Sequence, residues 1–193
     1  MKKLFLILTI ASLSSLVMNA QDIAIGAKAG VNFASIGGDD TDDLDGRTAF
    51  HVGAAVEIPI SDKFSVQPEL LYSAQGATTS EEGIDVDFNA DYLNIPVMAK
   101  FYVGEGFSIE AGPQLGFLLS AKAKAGSEEE DLKDFVKSTD FGANLGLGYK
   151  LESGLHFGAR YNLGISNIND GLDSEDFKNQ NNVIQVSVGY FFN

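Results

Sequence analysis

Apolar and polar residues alternate along two stretches that flank the Gly104-Glu105-Gly106 turn. Such period-two alternation is typical of β-strands, because successive side chains point to opposite faces of a sheet. A tight turn between two such stretches predicts a β-hairpin from Tyr92 to Ser120. Its apolar face consists of Leu93, Ile95, Val97, Ala99, Phe101, Val103, Phe107, Ile109, Ala111, Leu115, Phe117 and Leu119.

The opposite face of this hairpin is built largely of small residues with a few charges, among them Asn94, Ser108, Gly112 and Gly116. The wet face of a soluble sandwich or lipocalin would favour bulky, solvated side chains instead. Small residues suit the crowded interior of a narrow barrel, where eight strands leave just enough room for side chains. The apolar face then points outward, which only lipid tolerates.

The same alternation recurs along the chain and predicts an all-β fold, an eight-stranded antiparallel transmembrane β-barrel with up-and-down topology. Each predicted strand is long enough to cross a bilayer at a tilt, since about 9–11 residues suffice. The predicted strands are Asp22–Ile36, Arg47–Ile58, Lys63–Gly76, Ala90–Val103, Phe107–Lys122, Lys137–Leu151, Gly154–Ile168 and Asn182–Phe192.

The connections between these strands alternate in length. Short periplasmic turns and longer outer loops are typical of bacterial outer-membrane barrels, so we expect the long, acidic connections to be extracellular. The short turns are Pro59–Asp62, Gly104–Gly106 and Glu152–Ser153, and the long segments are Gly37–Gly46, Ala77–Asn89, Ala123–Val136 and Asn169–Asn181.

The first twenty residues are predicted to be a cleaved secretory signal peptide. Lys2 and Lys3 precede the apolar run Leu4–Val17, and Met18-Asn19-Ala20 provides a cleavage site after Ala20. A transmembrane anchor is the alternative, but the run is short for a span and is interrupted by serines. Residues 21–193 then form one barrel domain. The sequence has no cysteine, which excludes disulfides and a lipid-anchored amino-terminal cysteine.

Two prolines fall inside predicted strands, where proline cannot donate to the ladder of hydrogen bonds. A closed barrel has no edge strand on which to place them. We therefore predict local bulges or missing hydrogen bonds at Pro96 and Pro113, with Pro113 on the lipid-facing side.

Acidic residues concentrate in the long segments. The formal net charge is −14, and 19 of the 27 acidic residues lie in or beside these segments. Nucleic acid is not an expected partner, because its phosphates would be repelled. A solvated acidic rim explains the pattern. A sharper hypothesis is divalent-cation binding that bridges these carboxylates to lipopolysaccharide phosphates.

The densest candidate for such a cation site follows the first strand. Thr41 and Val52 occupy positions where an EF-hand would need acidic ligands, so the segment is not an EF-hand. A weak, adaptable Ca²⁺ site is the remaining hypothesis. Its candidate ligands are Asp39, Asp40, Asp42, Asp43 and Asp45.

We do not expect an enzyme or a cofactor. A lipid hydrolase or protease in a barrel would need a histidine beside a nucleophile and an acid. The two histidines, His51 and His156, are both at inward positions far apart along their strands, and neither has a convincing serine and acid beside it in sequence.

Inward charges of both signs are the most informative polar residues. Ions at membrane depth must pair with each other or meet water, so we expect a structural network of ion pairs in the lumen. Its members are Lys28, Glu57, Glu69, Lys100, Glu110, Lys150 and Arg160.

Several sequence segments, spread over nearly the whole mature chain, resemble the PorT-type, porin-family outer-membrane β-barrel domain. The most specific are QPELLYS, YLNIP, EAGPQLGFLLSAK and ARYNLGISNI. The resemblance implies an eight-stranded barrel, and some members of that family serve the secretion of proteases and adhesins. The last strand, VIQVSVGYFFN, resembles the terminal signal that outer-membrane assembly machinery recognises, except that Asn193 follows the final aromatic residue.

These observations predict an integral outer-membrane barrel with a structural role, or a role accessory to secretion or adhesion, surrounded by membrane lipid and lipopolysaccharide. A secretion or surface-protein partner is compatible with this role. Two alternatives remain: a small-solute, porin-like channel, which a water-filled lumen would indicate, and a soluble lipocalin-like carrier, which would not partition with outer membranes.

Overall fold

A computed structural model describes residues 23–81, 84–170 and 177–192. The predicted signal peptide therefore lies outside the described residues. The strands are β1 (Ala24–Gly38), β2 (Asp45–Ser61), β3 (Phe64–Glu81), β4 (Ile84–Tyr102), β5 (Phe107–Ala125), β6 (Glu128–Asp131), β7 (Thr139–Lys150), β8 (Leu155–Gly164) and β9 (Asn179–Phe192), with a 3-10 turn at Lys133–Phe135.

Eight of these strands form a closed antiparallel ring. Neighbours follow the order β4-β3-β2-β1-β9-β8-β7-β5, and pairing of β4 with β5 closes the sheet. The first and last strands pair directly, with Gly30 opposite Ser187. The predicted eight-stranded up-and-down barrel is thus confirmed. We call the end that carries the connections β2–β3, β4–β5 and β7–β8 the short-turn end, and the opposite end the long-loop end.

The alternation in the sequence becomes an apolar exterior and a polar interior. Leu145, near the middle of β7, is 63% exposed, while its neighbours Asn144 and Gly146 are buried. Large apolar side chains are exposed on all eight strands of the ring, for example Val31, Phe50, Leu70, Val97, Ile109, Phe141, Phe157 and Val186. Among the described residues there is no helix of the length and apolarity that a membrane-spanning helix needs.

Most strands at the long-loop end reach further than the sequence predicted, but β7 begins at Thr139 instead of Lys137 and β8 ends at Gly164 instead of Ile168. Most of the expected loop Ala77–Asn89 belongs to β3 and β4, which remain paired out to Glu81 and Ile84. Within the expected loop Ala123–Val136, the short strand β6 pairs with the end of β5. The acidic, turn-like composition suggested loops, but local pairing between consecutive segments continues the sheet beyond the ring.

Each proline interrupts one ladder without shifting its register. Paired residues of β3 and β4 stop at Pro68 opposite Val97 and resume at Leu71 opposite Asn94, so Pro96 has no paired residue on β3. Paired residues of β4 and β5 stop at Pro96 opposite Gln114 and resume at Ala99 opposite Ala111, so Pro113 has none on β4. Missing pairs, one of the two predicted outcomes, therefore occur at both prolines. Pro113 is exposed on the outer face and lies opposite Ala143 of β7.

Candidate functional site

Seven charged side chains converge inside the barrel. Each lies on a different strand of the ring, at a position that alternates with the exposed apolar residues of that strand. The alternation that exposes the apolar residues therefore turns these charges inward. All are buried except Lys150, whose side chain is 25% exposed. They are Lys28, Glu57, Glu69, Lys100, Glu110, Lys150 and Arg160, and we call them the lumen charge network.

Arg160 joins two carboxylates from different strands. Its guanidinium donates to both oxygens of Glu69, at 2.9 and 3.1 Å, and its Nη2 also lies 3.4 Å from Oε2 of Glu110. Such two-pronged contacts match the planar fork of arginine. Lys28 lies 3.3 Å from the same Glu69 carboxylate, which therefore has two cations beside it.

The network continues toward the short-turn end through a second group of pairs. Nζ of Lys100 lies 3.4 Å from Glu110 and 3.5 Å from Glu57. Nζ of Lys150 lies 3.0 Å from the same Glu57 carboxylate. Charges of opposite sign therefore alternate without interruption from Lys28 to Lys150. Each of the three carboxylates contacts at least two cations, which offsets the cost of burying it.

Four neutral or titratable side chains also bind these carboxylates, and the sequence analysis did not single them out for this. Gln67 donates to Glu69 at 2.7 Å and accepts from Lys100 at 3.0 Å. Ser108 donates to Glu110 at 3.1 Å, and the Tyr102 hydroxyl donates to Glu57. His156 lies 3.7 Å from Glu110. All four lie on the inward-facing side of their strands. The alternation of apolar and polar residues is therefore the sequence signal that could have identified them.

Gly148 leaves the space in which part of this network lies. A Cβ atom at this position would contact Oε1 of Glu110 and would lie 2.8 Å from Ser108 Oγ and 2.9 Å from His156 Nε2. The absence of a side chain on β7 therefore allows groups from β5 and β8 to meet. The Ser108 hydroxyl bonds the carboxylate directly, whereas in a hydrolytic triad the imidazole lies between the serine and the acid.

Neutral polar side chains fill the lumen beyond the network. Asn32 donates to Ser73 at 2.9 Å and accepts from Gln185 at 3.1 Å. His51 contacts Asn32 at 2.7 Å and so belongs to this group of neutral contacts, whereas His156 lies beside the lumen charge network. On the opposite wall, Asn162 donates to Asn144. These contacts span β1, β2, β3, β7, β8 and β9.

An apolar cluster lies at the long-loop end of the lumen. Val136, from the segment between β6 and β7, is buried against inward residues of β4 and β5. Leu132 of the same segment packs on this cluster. The connection therefore folds over the lumen wall at this end. The buried members are Ala90, Tyr92, Leu118, Ala121 and Val136.

The short-turn end is open by contrast. A cavity of about 1010 Å³ is lined by the β2–β3 and β4–β5 turns. Glu57, Tyr102 and Lys150 are among its lining residues, so the lumen charge network reaches this opening.

The predicted calcium candidates are not brought together around one point. Among the residues that the structure describes, no three acidic, histidine or cysteine side chains are placed to hold a metal ion. Asp39 instead accepts a hydrogen bond from the Lys178 amide at 2.9 Å, which ties the β1–β2 connection to β9. Asp42, Asp43 and Asp45 line a separate cavity of about 450 Å³ with Thr79 and Ser80.

Comparison with known families identifies the chain. Residues 19–170 match the model of the family described as outer membrane protein beta-barrel domain. The chain belongs to this family. Its exposed apolar belt is accordingly the surface that an outer-membrane barrel presents to lipid, and the location that follows from membership is an outer membrane. A soluble lipocalin-like carrier is thereby set aside. No curated protein matches the chain.

Solved structures of bacterial outer-membrane barrels share the fold. The attachment invasion locus protein Ail of Yersinia pestis is 17% identical, with a TM-score of 0.55 over 88% of this chain and 98% of Ail. Neisserial surface protein A is 12% identical, with a TM-score of 0.59 over 87% of this chain and 97% of that protein. At these identities the similarity establishes the eight-stranded barrel architecture alone.

Proposed function

We propose that this outer-membrane barrel has a closed lumen and serves a structural role, or a role accessory to secretion or adhesion, rather than the passage of solutes. The observation that carries the proposal is the continuous lumen charge network, in which Arg160, Glu69 and Glu110 meet across the interior. An eight-stranded barrel is only wide enough for its own side chains, and these side chains occupy that width.

Opening such a lumen would require several buried ion pairs to separate together. Removing one partner from a buried pair typically costs about 3–5 kcal/mol, although lumen water lowers that figure. The polar contacts around Asn32 and the apolar cluster around Val136 add further obstruction toward the long-loop end. A solute would have to displace all three regions in turn.

A role at the cell surface is supported by the shape of the long-loop end. There β3 and β4 extend together beyond their neighbours, and the hairpin of β5 and β6 presents the exposed acidic run Glu128–Asp131. We place this end outside the cell and the short-turn end in the periplasm. Ail, a protein of similar fold, is described as an attachment invasion locus protein, and the PorT-like phrases support a secretion accessory role as the finer assignment. The acidic run also keeps open the hypothesis of cation bridges to lipopolysaccharide.

Single-channel recording in planar bilayers tests the closed lumen. We expect the unmodified protein to show no large, stable conductance steps. Arg160→Ala should introduce small steps that favour cations, because removal of the guanidinium leaves Glu69 and Glu110 facing the space that it filled. Asp170→Asn, at an exposed position at the long-loop end, is the matched control and should remain silent.

Large, stable steps from the unmodified protein would contradict the proposal and favour the solute channel. If Arg160→Ala does not fold, Glu69→Gln offers a second route, because it leaves the cations of Arg160 and Lys28 without their shared carboxylate. That variant should conduct with a preference for anions.

A further inference from the structure

Two exposed aromatic residues at the long-loop end lie outside the lipid-facing belt. Phe135, in the 3-10 turn before β7, is 62% exposed, and Phe177, just before β9, is 44% exposed. Every other exposed phenylalanine or tyrosine among the described residues belongs to a strand of the ring. β7 and β9 contain 12 and 14 residues, and about 9–11 residues cross a bilayer. Each of the two phenylalanines therefore lies beyond a strand that already spans the hydrocarbon.

Hydrogen bonds hold both residues beside the segment that follows β8. The Phe135 carbonyl accepts from the Asp170 amide at 2.8 Å. The Phe177 carbonyl accepts from the side chains of Asn167 and Asn169, both at 3.1 Å. Neighbouring extended segments lie about 5 Å apart, so the backbones of Phe135 and Phe177, on the two sides of this segment, are about 10 Å apart. One partner segment can contact both rings.

Carboxylates surround this aromatic pair. Asp134 directly precedes Phe135, and the Asp170 amide bonds the Phe135 carbonyl. Both carboxylates are exposed, and neither has an ion pair among the described residues. The four long segments at this end contain 18 acidic residues, and their basic residues are Lys124, Lys133 and Lys178. A cationic partner is therefore attracted to this end, and an anionic partner is repelled.

The chemistry of these groups identifies the kind of partner. An aromatic ring attracts a lysine ammonium or an arginine guanidinium over its face, and carboxylates bind the same cations by charge-assisted hydrogen bonds. Exposed aromatic residues with a polar rim are also typical of protein–protein interfaces. We propose that Phe135, Phe177, Asp134 and Asp170 form a docking surface for an arginine- or lysine-rich segment of a protein outside the cell. This proposal deepens the surface role proposed above and rests on it.

Fluorescence first tests whether the aromatic pair faces water. The sequence contains no tryptophan, so Phe135→Trp introduces a single indole. In dodecyl maltoside micelles we expect acrylamide to quench this indole and brominated dodecyl maltoside to leave it bright. Phe157→Trp, on the lipid-facing side of β8, is the matched control and should show the reverse. Strong quenching of the Phe135→Trp variant by the brominated detergent would identify a membrane anchor and overturn the proposal.

A synthetic peptide of alternating arginine and glycine then tests the docking surface. Labelled with fluorescein and followed by anisotropy in the same micelles, it should bind the unmodified protein saturably. A peptide of alternating glutamate and glycine should not bind. The double variant Phe135→Ala/Phe177→Ala should raise the Kd of the arginine peptide by about fivefold or more, the loss expected from two exposed cation–π contacts. Phe157→Ala should leave the Kd unchanged.

Leucine at both positions provides a second variant if the double alanine variant does not fold. Phe135→Leu/Phe177→Leu keeps apolar bulk but removes the ring faces, so it should also weaken binding of the arginine peptide. An unchanged Kd in the folded variants, equal binding of the glutamate peptide, or no binding by the unmodified protein would overturn the proposal. Conductance tests the closed lumen separately, so failure of the docking surface is distinguishable from failure of the proposed function.

Discussion

Arg160 shows how single residues control the interior of this barrel. One planar group contacts carboxylates from β3 and β5 while standing on β8. A lysine at the same position would keep the charge but would lose the two-pronged contact with Glu69. The contribution of Arg160 therefore depends on geometry as well as on charge.

Arg160→Ala should destabilise the folded barrel because it leaves two buried carboxylates with fewer cations. The expected loss is up to about 3–5 kcal/mol in the free energy of unfolding, with lumen water lowering it. Arg160→Lys should lose less. Urea unfolding in lipid vesicles measures the effect. Lys122→Ala removes an exposed ion pair with Glu129 and serves as the control, for which we expect an unchanged midpoint.

A second residue-scale prediction concerns the lipid-facing side. Leu145→Arg places a charge near the middle of β7 on the outer face, and should cost about 2–4 kcal/mol in vesicles. Leu151→Arg, just beyond the short-turn end of β7, should cost only about 0–1 kcal/mol because it lies near the membrane interface. Equal effects of the two substitutions would show that the face around Leu145 does not meet the hydrocarbon core.

The sequence identified which charges point inward but not which ones touch. Inward parity follows from local alternation alone, and it selected the seven charged residues that the structure places together. Contacts such as Lys150 with Glu57 join residues 93 positions apart. They depend on the tilt and stagger of the strands around the ring, which no local pattern encodes. His156 and Gln67 were missed as partners for the same reason.

At the scale of whole strands, composition misled the prediction of strand ends at one side of the barrel. The acidic residues around Asp85 and Asp87 indicated a loop in the sequence. In the structure they belong to the part of β4 that continues to pair with β3. The short turns were located closely because glycine and a few polar residues mark them. Pairing beyond the membrane needs no apolar face, so hydrophobic alternation does not signal it.

The orientation of these hairpins is testable with a glutamate-specific protease on intact cells. We expect cleavage within the exposed run Glu128–Glu130, between β5 and the 3-10 turn, because this end is proposed to face outward. Glu105 and Glu152, in the short turns, should be cut only after the outer membrane is permeabilised. Cleavage of intact cells confined to Glu105 and Glu152 would reverse the proposed topology.

At the scale of the whole molecule, the closed ring determines what the lumen can do. Eight strands fix its width, and residues from every wall then fill it in three regions along its length. The network lies toward the short-turn end, the neutral polar contacts follow, and the apolar cluster lies at the other end. The proposed closed lumen therefore links stability to permeability, because the same side chains would determine both.

Closure of the ring by β1 and β9 also constrains the order of folding. Gly30 and Ser187 are opposite each other although nearly the entire domain separates them along the chain. The backbone hydrogen-bonding groups on this edge of β1 therefore remain unpaired until the last strand has been synthesised and exported. A chain that stops before β9 would carry two unpaired edges, on β1 and β8, and such edges invite aggregation. The nascent barrel must consequently be kept from pairing with other chains until its final residues arrive.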